Sequence, residues 1–339
     1  MRRGMKVSAK MEPKPIQKNK LSESQSKLFG LVLGCFFVSG LTGLIYEILW
    51  TRMIVAIIGS APFAVTIVLT VFMGGLGLGS YIASKTVDRL EDPLKLIRLY
   101  GILELIVGVY GIIFPLLLVL YKPLYSLIYN HLFKYLIAYN LMTFVGCLLL
   151  LIIPVTCMGA TLPVLCRFFI RRISRVGTHV GRLYGVNTIG AAAGALLCGF
   201  WLIDSLGVWG SLSFAIILNT IIGALCVFIS FWFKRGTVTS KTISKVTRKT
   251  SKQDAPEPDY SGTPTSDSVF ALIIFGISGF CAMAYEVIWT NLLGLIVGPT
   301  TYSFTIVLVT FISGLALGSV FFGRLGDRIE KTMSLLLMT

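Results

Sequence analysis

The chain has 339 residues, of which 55% are hydrophobic and only 13% are charged, and its mean hydropathy is +0.84. A soluble domain carries about a quarter of its residues as Asp, Glu, Lys or Arg. The composition therefore excludes a water-soluble globular domain and predicts an all-α polytopic membrane protein, for which lipid is the main solvent.

The apolar segments begin after a polar, basic stretch at 1–27, which lacks the apolar core and cleavage site of a secretory signal. Apolar runs of roughly twenty residues or more are typical of membrane-spanning helices. The sequence contains eight, at 28–50, 62–83, 97–121, 137–166, 183–203, 209–233, 269–290 and 302–322. A ninth run begins near the last residues, "MSLLLMT", and is too short to cross a bilayer, so we expect a fragment of a longer protein.

Residues 234–267, between the sixth and seventh spans, are rich in Lys, Ser, Thr, Asp and Pro. This composition is typical of a disordered linker. The predicted organisation is a cytoplasmic tail (1–27), a six-span unit (28–233), a cytoplasmic linker (234–267) and the start of a second unit (268–339).

The basic residues predict the orientation. With a cytoplasmic N-terminus, all but three of the 30 Lys and Arg residues fall on the cytoplasmic side, the exceptions being Arg52, Lys122 and Lys134. This bias matches the positive-inside rule and places the chain in the cell membrane. The net charge of +15 thus mainly reflects the orientation of the chain in the membrane. Anionic lipid headgroups are expected as additional partners of the basic residues. No nucleic-acid partner is expected.

The two units contain copies of one internal repeat. Residues 39–89 align without a gap with residues 278–328, and 20 of the 51 positions are identical. Such self-similarity indicates duplication. Because six spans separate equivalent points, both copies should cross the membrane in the same direction. This parallel relation resembles that between the halves of major-facilitator transporters, with the second half incomplete here.

A loop motif adds to this resemblance. "GRLGDRIEK" at 323–331 is similar to the major-facilitator signature between the second and third spans, and "SKTVDRLEDPLK" keeps its Asp-Arg pair but not its glycine. The resemblance implies gating roles for Asp88, Arg89, Asp327 and Arg328. A solvated turn of mixed charge is the alternative.

The chain as a whole resembles the membrane region of bacterial proteins that fuse a major-facilitator part to a spermidine-synthase-like part. The stretches that carry this resemblance are "SGLTGLIYEILWTR" (39–52), "PVTCMGATLPVLCR" (154–167) and "GRLYGVNTIGAAAGALLCGFWLI" (181–203). The resemblance implies a soluble aminopropyltransferase-like domain after the membrane region. No segment of this chain matches that domain, so we expect no catalytic residues and no cofactor here.

The repeated motif "YEILWTR" and "YEVIWTN" places a glutamate within each apolar copy. A carboxylate in hydrocarbon is costly unless it faces protein or water and finds a partner. Two acids and four aromatic rings at one depth would suit an organic cation through ion pairing and cation–π contacts. The predicted binding residues are Tyr46, Glu47, Trp50, Arg52, Tyr285, Glu286 and Trp289. Interfacial anchoring by Tyr and Trp is the alternative.

Proton coupling is predicted for two acids. Asn291 stands where the first copy has Arg52, so Glu286 lacks the basic neighbour that could neutralise Glu47. Glu104, in the third span, also has no nearby basic residue in the sequence. Either acid could serve as a proton or cation site.

Small residues one helical turn apart allow two helices to approach closely. Such pairs occur at Gly75 and Gly79, Gly190 and Gly194, and Gly314 and Gly318. The seven cysteines form no Cys-x-x-Cys pair, so no metal site is expected.

The sequence thus predicts a membrane module that binds or transports a small cationic organic solute, such as a polyamine. Two alternatives stay open: a membrane anchor for an aminopropyltransferase whose catalytic domain is separate or follows downstream, and a scaffold that does not transport.

Overall fold

The computed structural model describes residues 15–59, 61–90, 92–169, 176–236, 266–298 and 301–326. All secondary structure in these ranges is helical, so the predicted all-α class is confirmed. The helices are α1 (Pro15–Ile58), α2 (Ala61–Val87), α3 (Pro93–Leu132), α4 (Leu136–Phe169), α5 (Val176–Leu197), a π-helical turn (Cys198–Leu202), α6 (Ile203–Gly236), α7 (Ser266–Val297) and α8 (Thr301–Gly326).

Seven stretches within the described residues are long and apolar enough to cross a membrane, as in a multi-pass membrane protein. One of them, Val180–Trp232, has 53 residues. A continuous helix of that length would be about 80 Å long, whereas the hydrocarbon layer is about 30 Å thick. The helix is interrupted at Gly207, whose φ of 67° favours glycine. This stretch can therefore supply two crossings, consistent with the predicted fifth and sixth spans.

The connection between α1 and α2 defines one end of the bundle, which we call the hairpin end. Tyr125, near the end of α3, donates a hydrogen bond to the carbonyl of Ile58 at 3.1 Å. The hydroxyls of Tyr125 and Tyr139 are 2.7 Å apart, and Tyr139 belongs to the beginning of α4. The α3–α4 connection therefore lies at the hairpin end too.

Contacts from α8 place two more connections at the hairpin end. Arg52 Nη1 donates to Thr301 Oγ1 at 3.2 Å, and Thr301 is the first residue of α8. The neighbouring Tyr302 donates to Asp204 Oδ2 at 2.8 Å, and Asp204 lies at the beginning of α6. The α5–α6 and α7–α8 connections are therefore close to the end of α1, and α1 and α7 both run toward the hairpin end.

The duplicated segments also share their local geometry. α1 ends at Ile58 and α7 ends at Val297, which are equivalent positions of the repeat. The glycine that follows each helix has positive φ, 80° at Gly59 and 97° at Gly298. Glycine adopts this conformation without the steric cost that a side chain would impose. The two copies are thus helical hairpins broken at the same residue.

Glycines bring two pairs of helices into close contact. A Cβ built on Gly79 of α2 would lie 2.0 Å from the carbonyl oxygen of Thr156 in α4, and one built on Gly194 of α5 would lie 2.1 Å from that of Leu41 in α1. The predicted close approach is confirmed in the first unit. The equivalent glycines of the second copy, Gly314 and Gly318, have no atom of the described residues within 4 Å of such a Cβ, so the close approach is not seen for α8 in this part of the chain.

The buried side chains form two clusters. The larger extends through the middle of the bundle to the hairpin end and contains Trp50 and Phe114. The smaller lies toward the opposite end and contains Phe36, Tyr100 and Phe168. α8 packs along α5, whereas α7 packs mainly on α8 and leaves most of its apolar surface exposed.

Candidate functional site: a buried carboxyl pair

Glu47 of α1 and Glu286 of α7 are the central pair of the candidate site. Each is only 1% exposed, and the two carboxyl groups are close enough for their charges to interact. Each also lies eleven residues before the end of its helix. At 1.5 Å per residue, that is about 16 Å from the hairpin end. Because α1 continues to Ile58 rather than ending near residue 50, Glu47 lies farther from the end of its helix than the sequence predicts.

The two acids lack protein partners for most of their oxygen atoms. Among the described residues, no side chain or backbone group hydrogen-bonds to Glu47 Oε1 or to either carboxylate oxygen of Glu286. Arg52, the candidate neutralising residue, is exposed and donates to Thr301 instead. A buried carboxyl group without a donor or cation is unfavourable, so this pair is suited to binding a proton or a cation.

The aromatic residues of the first copy do not line the space between the acids. Tyr46 and Trp50 are both 0% exposed, and their rings stack with centroids 4.9 Å apart. Trp50 also contacts Phe114 of α3 at a centroid distance of 4.9 Å. The successive positions of Tyr46 and Glu47 on α1 differ by about 100° around the axis. The rings therefore pack against α3, and Glu47 occupies a different part of the surface of α1.

The equivalent residues of the second copy have a different environment. Tyr285 is 61% exposed and Trp289 is 59% exposed, although Glu286 between them is buried. No helix in the described part of the chain covers α7 as α3 covers α1. The structure therefore buries both predicted acids within electrostatic range of each other, but it does not gather the four predicted rings around them.

Glu104 forms a separate buried site. It is 2% exposed, and its Oε1 accepts a hydrogen bond of 2.5 Å from Ser39 Oγ of α1. Ser39 lies eight residues before Glu47, which is about 12 Å along the helix axis. Ser39, the donor to Glu104, and Glu47 therefore lie at different levels along α1.

The predicted gating residues are only partly described. Asp88 and Arg89 follow the end of α2 and are both exposed. The backbone N–H of Arg89 bonds to the carbonyl of Thr86 at 3.4 Å, as in a turn. Asp327 and Arg328 lie outside the described residues. The gating roles therefore stay a prediction.

Two residues of these sites were missed by the sequence reasoning. Ser39 is the donor to Glu104, and Asn219 of α6 is a buried amide whose Oδ1 has no hydrogen-bond partner among the described residues. Asn219 interrupts the apolar run "FAIILNTIIGAL", and a lone amide in such a run is a recognisable signal. Nothing in the local sequence connects Ser39 to Glu104, which lies 65 residues away.

Other ligand sites are not evident in the described part of the chain. No three His, Cys, Asp or Glu side chains come together there as a metal site would require. A shallow groove on the outer face of α3 is lined by apolar residues, including Ile102, Ile106 and Val109. That groove suits a lipid chain better than a charged solute.

Comparisons of the chain with protein-family models, with curated proteins and with solved structures found no match.

Proposed function

We propose that this protein binds a small organic cation between Glu47 and Glu286 and carries it across the membrane in exchange for protons. The observation that carries the proposal is the buried carboxyl pair itself. Its two members come from equivalent positions of a duplicated segment, are both buried, and lie within electrostatic range of each other.

Electrostatics explains why such a pair suits exchange. Two carboxylates that are close together in a medium of low dielectric constant repel each other strongly when both are ionised. Either a proton or a bound cation relieves that repulsion. A cation and a proton therefore compete for one site, and this competition couples the movement of the two.

The position of the pair supports transport rather than surface binding. In transporters built from repeats, substrate and coupling ions bind near the bilayer midplane, at the interface between the repeats. Glu47 and Glu286 lie about 16 Å from the hairpin end of their helices and belong to different copies. We propose that the copies form a parallel repeat of the major-facilitator kind, because α1 and α7 both end at the hairpin end.

The class of solute follows from charge and from resemblance. Two carboxyl groups fit a solute with more than one amino group, and the likeness to spermidine-synthase-like membrane proteins favours a polyamine. Tyr46 and Trp50 are packed inside the first unit. They would therefore support the position of Glu47 rather than contact the solute.

We also propose that the hairpin end faces away from the cytoplasm. At the opposite end, basic residues cluster around the α2–α3 connection, including Lys85, Arg89, Lys95 and Arg98. Their positions match the expected excess of positive charge in cytoplasmic loops. The cell membrane is the proposed location.

Uptake by proteoliposomes tests the proposal. Radiolabelled spermidine is supplied outside, with an imposed pH gradient, to vesicles containing wild type, Glu47→Gln or Glu286→Gln. We expect at least a tenfold loss of the initial rate in both variants, since an amide cannot form the ion pair; Asp254→Asn in the polar linker should retain the wild-type rate. Wild-type uptake by both glutamine variants would overturn the proposal.

A further inference from the structure

We infer that Glu104, together with Ser39, Asn219 and Tyr46, forms a second internal site that takes up one proton, within the first six-span unit and separate from the Glu47–Glu286 pair. This inference does not depend on the solute proposed above, because it concerns protonation of the protein itself. It rests on the side chains that surround Glu104.

The carboxyl group of Glu104 is enclosed by four helices. Ser39 of α1 donates to its Oε1 at 2.5 Å. The other titratable groups within electrostatic range of it are Cys35 and Tyr46 of α1, Tyr100 of α3, Cys157 of α4 and Cys226 of α6. These groups are phenols and thiols. None of these neighbours is a Lys, Arg or His that could balance a carboxylate.

Two unpartnered polar groups lie along the same seam between α1, α3 and α6. Tyr46 Oη has no hydrogen-bond partner among the described residues, although Tyr46 is 0% exposed and is within electrostatic range of Glu104. Asn219 Oδ1 is also unpartnered, and its Cβ faces Gly108, one turn beyond Glu104 on α3. Buried polar atoms are normally satisfied by protein or water, so these two atoms point to a polar ligand.

The absence of side chains on α3 makes room for these groups. A Cβ on Gly111 would lie 3.1 Å from Tyr46 Oη, and one on Gly108 would lie 3.6 Å from the Cβ of Asn219. Glu104, Gly108 and Gly111 lie on one face of α3, because they are four and three residues apart. The seam therefore carries a row of oxygen atoms that starts at Glu104 and extends toward the hairpin end.

A proton is the ligand that this geometry favours. When Glu104 is neutral, one oxygen accepts the bond from Ser39, and the other carries the proton and can donate to a water held by Asn219 or Tyr46. Ionised Glu104 would be balanced only by neutral hydroxyl and thiol groups, with no cation among the neighbours named above, which is unfavourable in a buried setting. Proton binding at Glu104 breaks no covalent bond and requires no co-reactant beyond water.

Infrared difference spectroscopy of the purified protein in nanodiscs, recorded during a pH titration, tests this inference. We expect a carboxylic-acid C=O band that disappears in Glu104→Gln and persists in the double variant Glu47→Gln/Glu286→Gln. In Ser39→Ala the same band should move to higher frequency, because the carbonyl loses a hydrogen bond. Tyr110→Phe, which removes a buried hydroxyl that donates to the carbonyl of Leu150 instead, should leave the band unchanged.

Two results would overturn the inference. One is a spectrum in which neither Glu104→Gln nor Ser39→Ala alters any carboxylic-acid band. If Glu104→Gln does not fold, an unchanged band in Ser39→Ala is sufficient to overturn the inference. The other is loss of the band on adding sodium ions at constant pH, which would assign the site to a metal cation. If the wild-type protein shows the Glu104 carboxylic-acid band but takes up no spermidine, that result would count against the proposed function alone.

Discussion

Gly79 of α2 lies against the backbone of α4, where a Cβ built on the glycine would be 2.0 Å from the carbonyl oxygen of Thr156. The adjacent Ser80 donates a hydrogen bond of 2.9 Å to the carbonyl of Gly159 across the same contact. The two backbones can approach this closely only because neither side has a side chain between them. The stability of the first unit depends on this contact.

Replacing Gly79 by valine should separate α2 from α4 and lower the free energy of unfolding by about 1–3 kcal/mol, the usual cost of overpacking. The matched control is Gly318→Val, the equivalent position in the second copy, where a Cβ would meet no atom of the described residues within 4 Å. Thermal unfolding in detergent, followed by size-exclusion chromatography, measures both. Equal loss of stability in the two variants would contradict the close packing of α2 and α4.

The electrostatic contact between Glu47 and Glu286 predicts non-additive stability. At pH 8, Glu47→Gln and Glu286→Gln should each raise the unfolding temperature, since each removes one of two mutually repelling carboxyl groups. The increase in the free energy of unfolding of the double variant should be smaller than the sum of the two single increases, by a coupling energy of about 1 kcal/mol. Glu47→Gln combined with Glu104→Gln should be additive, because Ser39, the hydrogen-bond donor to Glu104, lies about 12 Å from Glu47 along α1. Additivity in the first pair would mean that its carboxyl groups do not interact.

The hydrogen bond from Tyr302 to Asp204 joins α8 to the beginning of α6. Tyr302→Phe removes it, and we expect a loss of about 1 kcal/mol, because the acceptor is a carboxylate but both groups are partly solvated. Tyr81→Phe is the control, since its hydroxyl contacts only Lys85 on the same helix. The measurement is thermal unfolding of both variants. A larger loss in Tyr81→Phe would show that the contact between α8 and α6 contributes little.

The proposed orientation predicts which residues a membrane-impermeant maleimide can reach. Lys134→Cys, at the α3–α4 connection, should be labelled in intact cells. Ser240→Cys, in the polar linker, should be labelled only after permeabilisation, because positive loops are retained in the cytoplasm. The unsubstituted protein shows the background from its own seven cysteines. Labelling of Ser240→Cys from outside would reverse the assignment.

Competition between protons and the solute predicts a pH dependence of binding. Lowering the pH protonates carboxylates, and a neutral acid cannot pair with an ammonium group. Spermidine binding to the wild-type protein in detergent, measured by calorimetry, should therefore weaken as the pH falls from 8 to about 5, a range over which the solute itself stays cationic. Affinity that is constant over this range would rule out a shared site for proton and solute.

Local properties of the sequence determined much of this architecture. Apolar runs of sufficient length predict helices that cross a bilayer whatever their neighbours are, because the backbone must satisfy its own hydrogen bonds in lipid. The repeat predicts equivalent hairpins, and Gly59 and Gly298 end the first helix of each copy with positive φ. The glutamates of the repeated motif are recognisable because a carboxyl group in an apolar run is costly.

The tertiary structure decided what each of these residues contacts. Tyr46 and Tyr285 stand in the same motif, but α3 covers only the first. Gly79 and Gly318 are equivalent in sequence, yet within the described residues a Cβ on Gly79 would meet another helix and one on Gly318 would not. Glu104 accepts a hydrogen bond from Ser39, which lies 65 residues earlier in the chain. Burial and hydrogen bonding depend on which helices pack together. A repeated motif does not predict them, because its two copies have different neighbouring helices.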